Sequence, residues 1–323
     1  MKIIHLVLAA SALVLVFFST GSQSLADRPN ILFVISDDQS YPHASAYGCR
    51  GIRTPGFDRV AKEGVLFRTC ISGSPGCSPS RATVLTGRYH WMLEHAGTHA
   101  SKFDKKYATF PDLLEKAGYW VGYTGKGWGP GFANDASGKP RKITGQAWQK
   151  QKAKPPARAI SNNDYAGNFA EFLAAAKLGK GSPWAFWYGA TEPHRGYEAG
   201  VGRRMSKKLS DIDRVPKYWP DNDVIRNDML DYSIEVEHYD THLSRILAHL
   251  EKAGQLDNTL IVATSDHGMP FPRCKGQAYD YSNHIPLAIR WPKGIKGSNR
   301  RVEDFVNFTD LAPTFRHPFT DHP

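Results

Sequence analysis

Cys77 stands in the stretch Ser74-Pro75-Gly76-Cys77-Ser78-Pro79-Ser80-Arg81, ahead of a short apolar run that closes at Thr86-Gly87. A cysteine leading through Pro79 into a helix sits at a helix N-terminus, where free N–H groups and the dipole favour anions. That is a good seat for a nucleophile attacking a charged ester; read alone, the same residues equally describe a buried structural cysteine. Asp37 and Asp38 follow the apolar run 31–35. Adjacent carboxylates repel one another unless a cation lies between them, so a hard metal such as Ca²⁺ is one reading and capping of a following helix is the other. Lys126 follows a second apolar run and could hold an anion or simply be solvated. His194 comes just after a proline and an aromatic run, as a general acid or as a structural histidine.

These residues need elements to hold them. Residues 31–35, 184–188 and 260–263 are continuous apolar runs that read as strands buried on both faces, and each is followed by polar residues where open α/β sheets place their sites. Residues 120–123 and 286–290 read as further strands. Thr54-Pro55 opens a helix that Gly64 closes, a helix over about 110–116 is stopped by Gly118, and another runs over about 165–177. Apolar periodicity predicts a long helix over about 223–252, its acids forming a solvated face. Residues 127–163 are rich in Gly, Pro, Lys and Ala and read as a long surface excursion or lid. Strand and helix alternate without an internal repeat, which predicts one α/β domain over 27–315, doubly wound, with a largely parallel sheet and helices on both faces.

Lys2 precedes a mostly apolar stretch to about Phe18, and Ser24-Leu25-Ala26 offers a cleavage site, so residues 1–26 read as a signal peptide and the product as secreted or periplasmic. The run is too short for a comfortable membrane span, and no stable membrane insertion is expected. Cys49, Cys70, Cys77 and Cys274 lack the paired spacing of a zinc site and do not suggest a disulfide scaffold. The net charge of +10 lies in short clusters. It suits a polyanionic substrate, nucleic acid or an anionic surface, and decides nothing by itself.

Cys77-Ser78-Pro79-Ser80-Arg81 with Thr86-Gly87, the T-P-x-x-D and E-G-V-x-F tracts (Thr54, Pro55, Asp58; Glu63, Gly64, Val65, Phe67) and Ser265-Asp266-His267-Gly268 after an apolar strand together resemble the type I sulfatases of the alkaline phosphatase superfamily. Pro193-His194-Arg195 and Met269-Pro270-Phe271-Pro272 resemble the sulfamidase, or heparan N-sulfatase, branch. The resemblance implies that Cys77 is oxidised to formylglycine by a formylglycine-generating enzyme and that its hydrate attacks sulfur. It implies one divalent metal, Ca²⁺ first with Mn²⁺ or Mg²⁺ open, held by Asp37, Asp38, Asp266, His267 and the converted Cys77. Arg81 would fix the hydrate, Lys126 and Lys275 would bind sulfate oxygens, and His194 would protonate the leaving group. The implied substrate is a sulfated carbohydrate, O- or N-linked, with no nucleic-acid partner.

Three features depart from the family pattern. Trp128 stands where many sulfatases have histidine, two places after the lysine. His267 stands where many have asparagine, and nitrogen suits Ca²⁺ less well. The chain stops at Pro323, with an atypical tail over 316–323 where relatives continue into a C-terminal subdomain. Its apparent lack is expected to expose apolar surface near 286–290 and 305–315. The alternatives are a phosphonate monoester or phosphodiester hydrolase of the same superfamily and an inactive truncated remnant that only binds sulfated ligand. Two-metal phosphatases are disfavoured because Asp240 is followed four residues later by Ser244 rather than histidine.

Overall fold

The computed structural model describes residues 28–178 and 182–316, so the signal-peptide reading of 1–26 and most of the tail lie outside the described residues. In chain order the strands are β1 (Asn30–Ser36), β2 (Val65–Ile71), β3 (Ser101–Phe103), β4 (Trp120–Gly125), β5 (Gly131–Ala133), β6 (Gln146–Ala147), β7 (Trp184–Gly189), β8 (Thr259–Ser265), β9 (His284–Arg290) and β10 (Arg300–Asn307). The helices are α1 (Pro55–Glu63), α2 (Cys77–Thr86), α3 (Phe110–Lys116), α4 (Tyr165–Leu178), α5 (Val201–Arg204), α6 (Asp223–Lys252), α7 (Asp280–Asn283) and α8 (Leu311–Arg316). Eight strands form one sheet in the order β10-β2-β9-β8-β1-β7-β4-β6, while β3 and β5 form a small parallel pair. Only β9 runs against its neighbours β2 and β8, so the sheet is largely parallel, as expected.

The period of two along the central strands divides the core. Leu32 and Val34 of β1, with Phe186, Tyr188, Ile261 and Ala263, pack under α1, α4 and α6. Ile31, Phe33 and Ile35, with Ala185, Trp187, Leu260 and Val262, pack on the other face with residues of α2, α3 and α8. Helices cover both faces, which is why these strands read as unbroken apolar runs. The sequence boundaries of α3 and α6 coincide with those observed: Thr109 and Asp112 form a capping box at the start of α3, and the Asn222 side chain caps α6.

Two expectations are corrected. The acids of α6 are only in part a solvated face: Asp223 and Glu251 are exposed, but Asp231, Glu235 and Asp240 are buried. Asp240 accepts from the backbone N–H groups of Gly56 and Phe57 at 2.7 and 2.8 Å, capping α1, and Asp231 accepts from Gly200 and Gly202 at the start of α5, both at 2.8 Å. This 30-residue helix packs against several other helices and buries 15 of its residues, these three acids among them. Nor is the apolar surface near 286–290 and 305–315 open. Ile285, Leu287 and Ala288 are buried in a strand flanked by β2 and β8, and Phe308, Leu311 and Phe315 join the core, with Phe315 against Phe33 and Phe110. Phe305 alone of the large side chains in those stretches is exposed, at 82%.

Glu235 gives a pH-dependent prediction. Burial, and next the Glu192 carboxylate, push its pKa up to about 8 from 4.5. The folded protein therefore holds a proton that the unfolded chain releases; this stabilisation is complete below about pH 4.5 and is lost as pH rises through about 8. Glu235→Gln should leave the melting temperature unchanged at or below about pH 4.5 and raise it progressively above that, by about 2–6 °C once about pH 8 is reached, read from thermal melts of both proteins across that range.

Candidate active site

The site lies where β1, β4, β7 and β8 end together. Backbone bonds fix the strand ends: Asp37 N–H donates to Glu192 O at 2.9 Å, Asp266 N–H to Ser36 O at 3.1 Å, and Lys126 N–H to Gly189 O at 2.7 Å. The last contact requires glycines, since Gly125 has φ +76° and a Cβ there would lie 1.9 Å from Gly189 O. Asp38 takes a left-handed conformation, φ 76°, while its N–H donates to Oδ1 of Asp266 at 3.0 Å. This bend turns two consecutive carboxylates into one cavity.

Cys77 opens α2 after Gly76, which is extended and offers no side-chain cap. The expected helix N-terminus is therefore real, and the helix is buried through Leu85. Ligand atoms of Asp37, Cys77, Asp266 and His267 lie within 4.8 Å of one another, and those of Asp38, Cys77 and His194 form an overlapping group. Sγ of Cys77 is 3.6 Å from Oδ1 of Asp37 and 3.3 Å from Nε2 of His267. Nδ1 of His267 faces the carbonyl of Gly268 at 3.0 Å and so carries a proton, which turns Nε2 toward the carboxylates and leaves it the ring's available ligand atom. Nε2 is 3.0 Å from Oδ1 of Asp38. Burial opposes charge on this imidazole, but Asp266 and Asp38 outweigh it and raise its pKa to about 9. Burial and then Asp266 raise Asp37 to about 6 against the pull of Lys126 and Arg81. Asp266 itself is held well below the usual range by His267, Arg81 and Lys126 despite its burial.

Arg81 is wholly buried. Its Nε donates to Oδ2 of Asp266 at 2.8 Å and its Nη1 to the carbonyls of Lys126 and Gly127 at 3.0 Å each. Nη2, 3.5 Å from Oδ1 of Asp37, has no hydrogen-bond partner. Lys126 rests on Asp37 at 2.7 Å and Lys275 on Asp38 at 2.8 Å, so each lysine expected to meet an anion pairs here with a carboxylate of the same cavity. His194, half exposed at the rim, has Nε2 3.9 Å from Oδ2 of Asp38. All eight residues singled out from the sequence thus come together with Cys77.

Trp128 does not face the cavity as an imidazole would. Its Nε1 donates to the Ser78 carbonyl at 2.9 Å and its ring meets Phe103 edge-on, bracing the N-terminus of α2. Sequence reasoning passed over His99, whose neighbour Ala100 donates its N–H to Oγ of Ser78 at 3.3 Å. Modest burial and then the cations Lys275, Lys126 and His267 lower its pKa, which places an imidazole in the field of the site. A histidine in a polar loop carries no signal of this. Asp240 is engaged at the start of α1, and the four cysteines are free thiols.

The chain belongs to the sulfatase family, which it matches over residues 29–317. It is 28% identical over 324 residues to an ulvan-active sulfatase of Formosa agariphila, covering 90% of this chain and 52% of that protein. It is 29% identical to the N-sulphoglucosamine sulphohydrolase of Homo sapiens, covering 89% and 60%. The chain thus spans between half and two thirds of the length of these relatives. A solved structure in complex with its substrate D-glucosamine-2-N,6-O-disulfate superposes with a TM-score of 0.65 at 23% identity, over 92% of this chain and 78% of that one. The phosphonate monoester hydrolase of Agrobacterium radiobacter superposes with the same score at 21% identity, over 90% and 74%. Both share the α/β fold.

Proposed function

We propose that this chain is an exported hydrolase of sulfate esters or N-sulfates on a sulfated sugar, acting through residue 77. The observation that carries the reading is the convergence of Cys77, at a buried helix N-terminus, with Asp37, Asp266 and His267 inside one cavity. The sequence of residues 1–26 supports a secreted or periplasmic address, and among the described residues no helix is long and apolar enough to cross a membrane.

The donor set fits a divalent cation: three carboxylates, an imidazole whose other nitrogen is already committed, and flanking cations that now balance the acids. Asp37, Asp38, Asp266 and His267 would hold it, with Ca²⁺ favoured by the oxygen majority and Mn²⁺ or Mg²⁺ compatible with the nitrogen. When bound it would polarise a sulfate oxygen and neutralise developing charge. The buried Nη2 of Arg81, 3.5 Å from Asp37 and without a hydrogen-bond partner, is a donor free for an added oxygen in this cluster, which is compatible with conversion of Cys77 to formylglycine. That modification supplies the nucleophile, as an aldehyde hydrate, after the action of a formylglycine-generating enzyme. The chain's own groups do the rest. Arg81 orients the oxygens of residue 77, Lys126 and Lys275 leave their carboxylates for the sulfate oxygens, and His194 delivers a proton to the departing oxygen or nitrogen at the open side of the cavity.

The phosphonate monoester hydrolase fold neighbour supports a second reading, phosphonate or phosphodiester hydrolysis on the same constellation. Protein co-expressed with a formylglycine-generating enzyme separates them: the mass of the Cys77 peptide reports conversion, and paired aryl sulfate and aryl phosphonate substrates report the preferred centre. Faster turnover of the phosphonate would replace the first reading by the second, and no conversion with no turnover would sink both.

A further inference from the structure

The excursion over residues 127–163 holds seven basic residues against a single acid, Asp135. Its path is set by the sheet. β6 pairs in parallel with β4, and the Gln149 side chain clasps Gly125 through both its backbone N–H and carbonyl, at 3.0 and 2.8 Å, one residue before Lys126. From there the chain continues past the strand end toward the site edge of the sheet, tied by Gln151 N–H to Asn168, Ala153 N–H to Asn162 O and the bridge between Lys152 and Asn163. It returns with Ser161 N–H on the Glu192 carboxylate at 2.8 Å, two residues from His194. The excursion therefore leaves the site at Lys126 and rejoins it beside His194.

Within it Lys150, Lys152 and Lys154 are exposed and, among the described residues, make no ion pair. The antiparallel bonds on either side of Lys152, Ala153 N–H to Asn162 O and Asp164 N–H to Gln151 O, hold this stretch extended. Alternate positions of an extended run lie about 6.6 Å apart, so the three lysine stems leave one side of the backbone over about 13 Å. Asp164 pairs with Arg245, and Glu171 accepts from Gln151, whose side chain points to α4; neither forms an ion pair with the three lysines. Exposed cations of one sign at closely spaced positions, with no acid to neutralise them, attract a polyanion of matching repeat.

We infer that Lys150, Lys152 and Lys154 form a rail that holds the anionic residues flanking the reacting sulfate, so that the substrate is a multiply sulfated oligosaccharide or polymer rather than a singly sulfated monosaccharide. The inference rests on the sulfated-sugar reading of the site. The rail begins one residue after Gln149, which clasps Gly125, whereas the chemistry of the site belongs to other residues, so the two are separable by mutation.

The test compares the wild type with the triple variant Lys150→Ala/Lys152→Ala/Lys154→Ala. Probes are dextran sulfate, its uncharged parent dextran, and a DNA duplex of similar charge, with binding measured at low salt and again at about 0.15 M, where screening sets in over about 8 Å. Dextran sulfate affinity should fall about tenfold or more in the variant at low salt, with a shallower salt dependence, while dextran binds neither protein. Turnover of a small aryl sulfate and the melting temperature should not change. Unaltered dextran sulfate binding in the variant would overturn the rail, as would DNA binding that equals dextran sulfate binding in the wild type and falls with it. Binding needs no turnover, so an absence of sulfatase activity would sink the proposed function and leave the rail's own result readable.

Discussion

Cys77→Ala protein, otherwise matured alongside the wild type, is expected to lose aryl sulfate turnover by about 10⁴-fold or more, the scale seen when a nucleophile is removed from a preorganised site. The thiol is 1% exposed and the substitution removes a single heavy atom from a position already seated by α2, so the fold should survive with a loss of about 1 kcal/mol. Asp37, Asp38, Asp266 and His267 remain, so divalent cation binding should weaken but stay measurable by calorimetric titration. The split decides the assignment: turnover abolished with cation binding retained assigns residue 77 to chemistry. Hydrolysis that persists in this variant would remove Cys77 as nucleophile and leave the cavity a binding site.

The parts of this molecule legible in the sequence are those whose local pattern and tertiary role agree. β1, β7 and β8 are buried on both faces, so an apolar run was enough to find them, and their polar ends drew attention to Asp37, Asp38 and His194, while the family resemblance of Ser265-Asp266-His267-Gly268 was what marked Asp266 and His267. β10 was missed for the opposite reason. Arg-Arg-Val-Glu-Asp-Phe-Val-Asn is an edge strand with an irregularity between Val302 and Phe305, and only its pairing with β2 makes it a strand. β3 and β5 are three residues each and exist through one another. Asp231 and Asp240 of α6 look solvated in a helical pattern because the N–H groups they cap belong to other helices, α5 and α1. Arg81 shows the same limit within the site. Its motif marked it, but the bond to Asp266 and the two carbonyl contacts arise from residues 45 to 185 positions away.

Asp266→Asn is expected to be the most damaging single change to the assembled site, for two reasons that can be measured apart. The carboxylate accepts from the N–H groups of Asp38 and His267, at 3.0 and 2.9 Å, and from Nε of Arg81 at 2.8 Å, and neither Asp266 nor Arg81 touches solvent. Removing its charge leaves the guanidinium with only Asp37, 3.5 Å from Nη2, as a nearby counter-charge, and breaking a buried pair of this kind costs about 3–5 kcal/mol. An amide keeps the shape and one acceptor oxygen, so the loss should fall toward the lower end and appear as a melting temperature reduced by several degrees. The second effect is on the cation. A neutral amide oxygen binds a hard divalent ion more weakly than a carboxylate, so turnover should fall steeply at ordinary cation concentration and recover in part when the cation is raised in large excess. Excess cation should also restore part of the lost melting temperature, because an ion bound only by the folded state stabilises it in proportion to the logarithm of its concentration. A variant whose activity and melting temperature ignore added cation, together with wild-type activity that survives exhaustive chelation, would show that Asp266 serves Arg81 alone and that the cavity works without a metal.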